Sequence, residues 1–217
     1  MAVTVLKRDL FGSVAVADEG AGPRIVVRET DAARWWLRWL ARKLARREAQ
    51  ALVRLAGLCG VPRLVSWDGR TLTREWIEGQ PMQIAKPEDP TYFRRALRLL
   101  RQLHARRVVH NDLAKETNWL VTPNGSPALV DFQLAYCATR RGRLFRLLAY
   151  DDLRHLLKHK RSYLPERLTA RERRILARPS VVTRIWMATG KRLYLLITRR
   201  LLGWADREGA EDRLHPL

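Results

Sequence analysis

The sequence predicts an α+β, two-lobed fold, with a small β-rich N-terminal lobe and a larger, mainly helical C-terminal lobe. Three observations carry this. Residues 1–78 alternate short β-branched runs with one long stretch of helical periodicity; near Gly79 the composition shifts through the proline-rich, polar run GQPMQIAKPEDP; beyond it, apolar residues recur mainly at helical spacings. No internal repeat or low-complexity segment is present, so the 217 residues are expected to form one domain. Its lobes are expected at 1–78 and 79–217, with 180–217 as a basic helical extension.

The elements follow in order. SVAVA and RIVVRE are rich in β-branched residues, and the glycines and proline of DEGAGP between them favour a turn, which predicts a hairpin. From Asp31 to Leu58 the pattern becomes helical, and Thr30 or Asp31 has the side-chain oxygen that an N-cap needs. VPRLVSWDGRTLTREWIEG follows, and its Asp-Gly between two strand-like runs predicts a second hairpin.

TYFRRALRLLRQLHARR places Tyr92, Phe93, Ala96, Leu99, Leu100 and Leu103 on one helical stripe. NWLVTPNGSPALVDFQLA reads as two short strands around a Pro-Asn-Gly turn, and the chain from about Arg143 as mostly helical and basic.

Lys and Arg total 42 against 22 Asp and Glu, a net charge of +20 that calls for an anionic partner: nucleic acid, a membrane surface or a phosphorylated substrate. No RNA-binding motif accompanies the charge, so no specific nucleic-acid recognition is expected. Cys59 and Cys137 lie far apart without CxxC spacing, which suggests neither a disulfide framework nor a zinc site and fits a reducing cytoplasm.

SVAVA is too short for a signal-peptide core, and LYLLITRRLLGW is cut by Arg199 and Arg200, so any membrane contact is expected to be peripheral, on the inner face. In RWWLRWLARKLARRE, Trp35, Trp36, Trp39, Leu40 and Leu44 can share one side flanked by Arg34, Arg38, Arg42 and Lys43. Such a helix either lies on an anionic membrane or packs on the small lobe. His155 and His159 have the i, i+4 spacing of a zinc pair but no third ligand, so no metal is expected there.

The densest polar cluster is VVHNDLAKETNWL, residues 108–120. Asp112 and Asp131 each follow a β-branched run, with Asn118 between them. Their oxygens suit Mg²⁺, a hard cation usually shared with substrate phosphates. Taken singly, each residue has an ordinary alternative as a cap or turn former.

The order of parts resembles the protein-kinase family. HNDLAKETN is similar to the catalytic loop H-R-D-x-x-x-x-N, and VDFQ, 19 residues after Asp112, is similar to D-F-G. IVVR sits where V-A-I-K belongs, Glu48 follows Arg28 by 20 residues on the long helix, and REWIEGQP resembles the hinge between kinase lobes. YDDLRHLLKHK resembles the helix whose aspartate, here Asp152, buttresses the catalytic loop. The compactness is most similar to RIO-type atypical kinases and to bacterial lipopolysaccharide-core kinases, including Kdo kinases.

The resemblance implies roles. Asp112 would orient an acceptor hydroxyl and take its proton; Asn118 and Asp131 would hold Mg²⁺ on the phosphates of ATP; Arg28, held by Glu48, would contact those phosphates. Gly12 would line the nucleotide loop, Glu75 and Ile77 would offer hinge backbone to adenine, and His110 would pack beneath the loop.

The departures are specific. Arg28 replaces lysine, as it does in many of the resembling lipopolysaccharide kinases. Asn118 lies six residues after Asp112 instead of five, so it reaches the metal position only if a bulge absorbs the extra residue. Gln133 replaces the glycine of D-F-G and removes its easy backbone flip. Neither a G-x-G-x-x-G loop nor an A-P-E motif is present, so a regulated activation loop and a peptide-docking lobe are not expected. The expected activity is transfer of the ATP γ-phosphate to an alcohol hydroxyl on an anionic acceptor, an envelope glycolipid sugar ahead of a protein Ser/Thr. A nucleotide-holding pseudokinase is the alternative.

Overall fold

The computed structural model describes residues 2–10, 12–18 and 23–178. In chain order the first elements are strands β1 (Ala2–Asp9), β2 (Gly12–Asp18) and β3 (Ile25–Glu29), helix α1 (Arg38–Arg54), and strands β4 (Leu64–Trp67) and β5 (Thr71–Glu75). The five strands form one antiparallel sheet in the order β1-β2-β3-β5-β4. Both expected hairpins are present. The second turns on Asp68, whose carboxylate accepts from the N–H groups of Arg70 and Thr71.

Helix α1 is lined by alanine where it meets the sheet. Ala45 and Ala49 are buried against Leu72 of β5. Small side chains let the helix approach closely, which brings Glu48, on the turn between them, up to the strands. Its start departs from expectation. The helix begins at Arg38, without a side-chain cap at Leu37, because the two expected caps are engaged elsewhere: the Thr30 hydroxyl donates to the Arg70 carbonyl at 2.7 Å, and Asp31 pairs with Arg42. Trp35 and Trp36 therefore precede the helix, and only Trp39 lies on it.

The larger, helix-rich part follows. Strand β6 (Gln80–Pro81) and the short α2 (Met82–Ala85) lead to α3 (Pro90–Ala105), then come β7 (Val108–Val109), β8 (Trp119–Val121), β9 (Pro127–Leu129), β10 (Tyr136–Cys137) and α4 (Arg143–Tyr163). A three-stranded sheet β6-β8-β9 and a two-stranded β7–β10 pair carry the loops of interest. All six residues of the predicted α3 stripe are buried, and Asp89 caps the helix by accepting from Thr91 N–H.

One apolar core joins the C-terminal end of α1 (Ala51, Leu52, Leu55) to α3, Trp119, Leu129 and Phe132. Trp119 and Leu120, the apolar end of the polar cluster, are buried and anchor it.

The chain divides into two units, Met1–Leu168 and Thr169–Leu217. The described part of the second holds helix α5 (Ala170–Ala177), opened by a capping box between Thr169 and Glu172. The expected extension at 180–217 lies outside the described residues.

Candidate active site

Strand alternation sets the small-lobe side of the site. Val26 and Arg28 share one face of β3, as Leu72 and Arg74 do on β5, and the register pairs Arg28 with Leu72. Both arginines reach the fully buried Glu48: Arg28 Nε lies 3.6 Å from Oε2 and Arg74 Nε 3.1 Å from Oε1. These are charge pairs; neither Glu48 oxygen accepts a well-aligned hydrogen bond among the described residues. The Arg74 guanidinium is held below its ordinary range, first by burial and then by Arg28, with Glu48 and Asp131 opposing.

Gly12 has a packing reason to be glycine. Its φ is 127°, and an added Cβ would lie 2.2 Å from the Glu29 carbonyl oxygen. At the end of β5, the Glu75 and Trp76 N–H groups donate to the Arg63 and Arg24 carbonyls, while Ile77 N–H donates to no backbone carbonyl among the described residues. The Glu75 side chain pairs with Arg63 at 2.7 Å.

The polar cluster forms a loop between β7 and β8. The extra residue is absorbed by a 3₁₀ turn at Glu116–Asn118. That turn carries Asn118 back to Asp112: its Nδ2 donates to the Asp112 backbone carbonyl at 2.8 Å and to Asp112 Oδ2 at 3.1 Å. Lys115 Nζ also stands 3.1 Å from Asp112 Oδ2. Asp112 thus has one oxygen held by two donors, a fixed carboxylate at the mouth of the loop.

Asp131 follows β9 in a left-handed backbone conformation, φ 64° and ψ 69°, which costs a non-glycine residue about 1–3 kcal/mol. Gln133 Nε2 donates to its Oδ1 at 2.6 Å, so the residue in place of the D-F-G glycine tethers the aspartate. Burial alone would raise the Asp131 carboxyl. Arg28, the Gln133 hydrogen bond, His110 and Lys115 outweigh it and hold the group below the usual carboxylate range. Arg28 from one lobe and Lys115 from the other therefore act on one carboxylate.

Helix α4 holds the loop from beneath. Asp152 is buried, and its two oxygens accept from His110 N–H at 2.8 Å and Asn111 N–H at 2.9 Å, with His104 Nε2 at 3.3 Å. Two turns on, His159 Nε2 donates to the Leu113 carbonyl at 2.8 Å and its Nδ1 lies 3.5 Å from Glu116; one turn further, the Tyr163 hydroxyl donates to Glu116. His110 is buried, its ring 4.6 Å from that of Phe132, with Nε2 donating to Val130. His159 thus serves the loop; among the described residues no group of three or more His, Cys, Asp or Glu side chains is placed to hold a metal ion.

The structure brings Arg28 to Glu48 and Asn118 to Asp112, and couples Asp131 to both groups through Arg28 and Lys115. Gly12 is packed against the Glu29 carbonyl, Glu75 is held through its N–H and its pair with Arg63, and Ile77 N–H has no backbone partner among the described residues. Arg74, Lys115, Glu116 and Tyr163 escape the sequence reading. Arg74 had a signal in its alternation with the buried Leu72, and Lys115 in being the only cation inside the cluster.

Comparison with known families gives one match, to the RIO domain, over residues 27–178. The matched span takes in Arg28, Glu48, Arg74, Asp112, Asn118, Asp131 and Asp152 and leaves Gly12 outside. No curated protein matches the chain.

Proposed function

Because the chain belongs to the RIO-domain family of atypical protein kinases, we propose that it transfers the γ-phosphate of ATP to an alcohol hydroxyl, with Asp112 orienting that hydroxyl and accepting its proton. The observation that carries the proposal is that Lys115 of the β7–β8 loop acts on two carboxylates: Asp112 of that loop, also held by Asn118, and Asp131 beyond β9, whose carboxyl Arg28 also holds low. An ionised carboxylate and an amide oxygen are the hard oxygen donors that Mg²⁺ takes. Asp131 and the side-chain oxygen of Asn118 would hold Mg²⁺, which when bound neutralises charge on the triphosphate.

The chain's own residues divide the remaining work. Arg28 and Arg74 share the single charge of Glu48, so Arg28 is not fully committed to it and would face Asp131 and the phosphates. Ile77 N–H and the Glu75 carbonyl take adenine, and Gly12, at the start of β2, lines the nucleotide. The loop, held from beneath by Asp152, presents Asp112 without needing a phosphorylated segment to order it. Residues 1–78 act as the nucleotide lobe and the rest as the acceptor lobe.

For the acceptor we favour a Ser or Thr hydroxyl of a protein, since the matched family is one of protein kinases. The glycolipid sugar, expected from the missing peptide-docking parts, the basic surface and the Trp-rich helix, has no support from that match and stands second. The test is phosphate transfer from labelled ATP with Mg²⁺ to protein and glycolipid fractions, beside Asp112→Asn. Label on protein that vanishes in the variant supports the first acceptor, and label on glycolipid the second. Nucleotide binding without transfer to either fraction identifies a nucleotide-holding module and overturns the enzyme.

A further inference from the structure

The side of α1 opposite Glu48 faces away from the site just described. Trp39 and Val53 of α1 are exposed there at 65% and 62%, Val65 of the neighbouring β4 at 48%, and Trp35 and Trp36, in the turns that lead into the helix, at 80% and 37%. Isolated exposed apolar residues are ordinary, but three indoles within five positions are a patch. Beside them, between α1 and the β4–β5 hairpin, runs an open groove of about 1220 Å³ whose apolar floor is rimmed by Arg42, Lys43, Arg46 and Arg54. No carboxylate lines it among the described residues.

We infer that this face is a docking surface for an anionic phospholipid bilayer, with the indoles seated at the interface and the α1 cations on headgroup phosphates. Tryptophan, amphipathic and rigid, prefers the headgroup boundary, and each nearby Lys or Arg adds attraction to anionic lipid. Nucleic acid would satisfy the cations but leave the Trp39–Val53–Val65 stripe in water. No helix among the described residues is long and apolar enough to cross a membrane; the contact proposed for this face is superficial. Nothing in this inference depends on the phosphotransfer reading, because α1 turns its other face to Glu48.

The test is sedimentation of the full chain with phosphatidylcholine vesicles, with and without phosphatidylglycerol, and quenching of tryptophan fluorescence by brominated acyl chains. Binding should require phosphatidylglycerol, and quenching should accompany it. Lys43→Gln with Arg46→Gln should weaken binding by about tenfold or more, whereas removing two exposed charges of α3, Arg98→Gln with Arg101→Gln, should change it much less.

Trp35→Ser with Trp39→Ser should weaken binding and remove most of the quenching; if that pair misfolds by circular dichroism, quenching of the native chain and the two charge pairs decide. Equal loss in both charge pairs would mean diffuse attraction by a chain of net charge +20 and would overturn the inference. So would absence of quenching, or occupation of the face only by acidic polypeptide, RNA or a second copy.

Discussion

Arg74 lies nearer to Glu48, at 3.1 Å, than Arg28 does, at 3.6 Å. The buried carboxylate is therefore neutralised first by a residue of β5, and the β3 arginine is the less committed of the two. That separation of labour predicts different phenotypes. Arg74→Met leaves Glu48 with its longer pair only and should cost about 3 kcal/mol of stability in urea unfolding. Arg28→Met should keep most of the stability, because Arg74 remains, and instead raise the ATP concentration for half-maximal turnover by about tenfold or more.

Asp112 lies on the loop and Asp152 on α4 beneath it, and of the two only Asp152 is buried. Asp112→Asn should lower turnover by about 10²–10⁴-fold with nucleotide affinity and melting temperature unchanged. Asp152→Ala orphans two backbone N–H groups and should lower the melting temperature as well, as read by calorimetry.

His155 on α4 is held below the ordinary histidine range, mainly by burial and secondarily by Lys158, with Asp151 and Asp152 opposing and His159 adding to the lowering. A group whose folded value is depressed contributes stability above its unfolded value, about 6.5, and that stability is lost as pH falls through the folded value. Stability measured by urea unfolding should therefore decline below about pH 6.5 and decline less in His155→Leu. Asp31, Asp68 and Asp89 are also held low and remain ionised in that window, so they do not mask it.

Gly12→Ala meets both a positive φ and the Glu29 carbonyl. It should destabilise the protein by more than about 1 kcal/mol, measured by thermal unfolding, even in the absence of nucleotide. A purely nucleotide-contacting glycine would show its effect only in binding.

The parts that local chemistry dictates were readable in advance. Helix α3 announces itself because six apolar residues repeat at helical spacing, and the hairpins because Asp-Gly and Pro-Asn-Gly favour few alternatives. The start of α1 was not readable, since what removes Thr30 and Asp31 from capping is a carbonyl and arginines distant in sequence, Arg70 among them. Arg74 was missed for the same reason. A charged residue alternating along a strand reads as solvent-facing until its buried counter-charge is known to sit behind it. The fate of the extra loop residue depended on whether Glu116 found partners, and His159 and Tyr163 supply them from a helix that begins 27 residues later.

Helix α4 touches the loop through Asp152, His159 and Tyr163, spaced so that all three share one helical face. The amide protons of His110 and Asn111 end on a carboxylate buried beneath them and can reach deuterium only when that face lifts away. Their exchange in heavy water should consequently be as slow as that of the central amides of α3, so the most polar stretch of the chain would count among its slowest-opening parts.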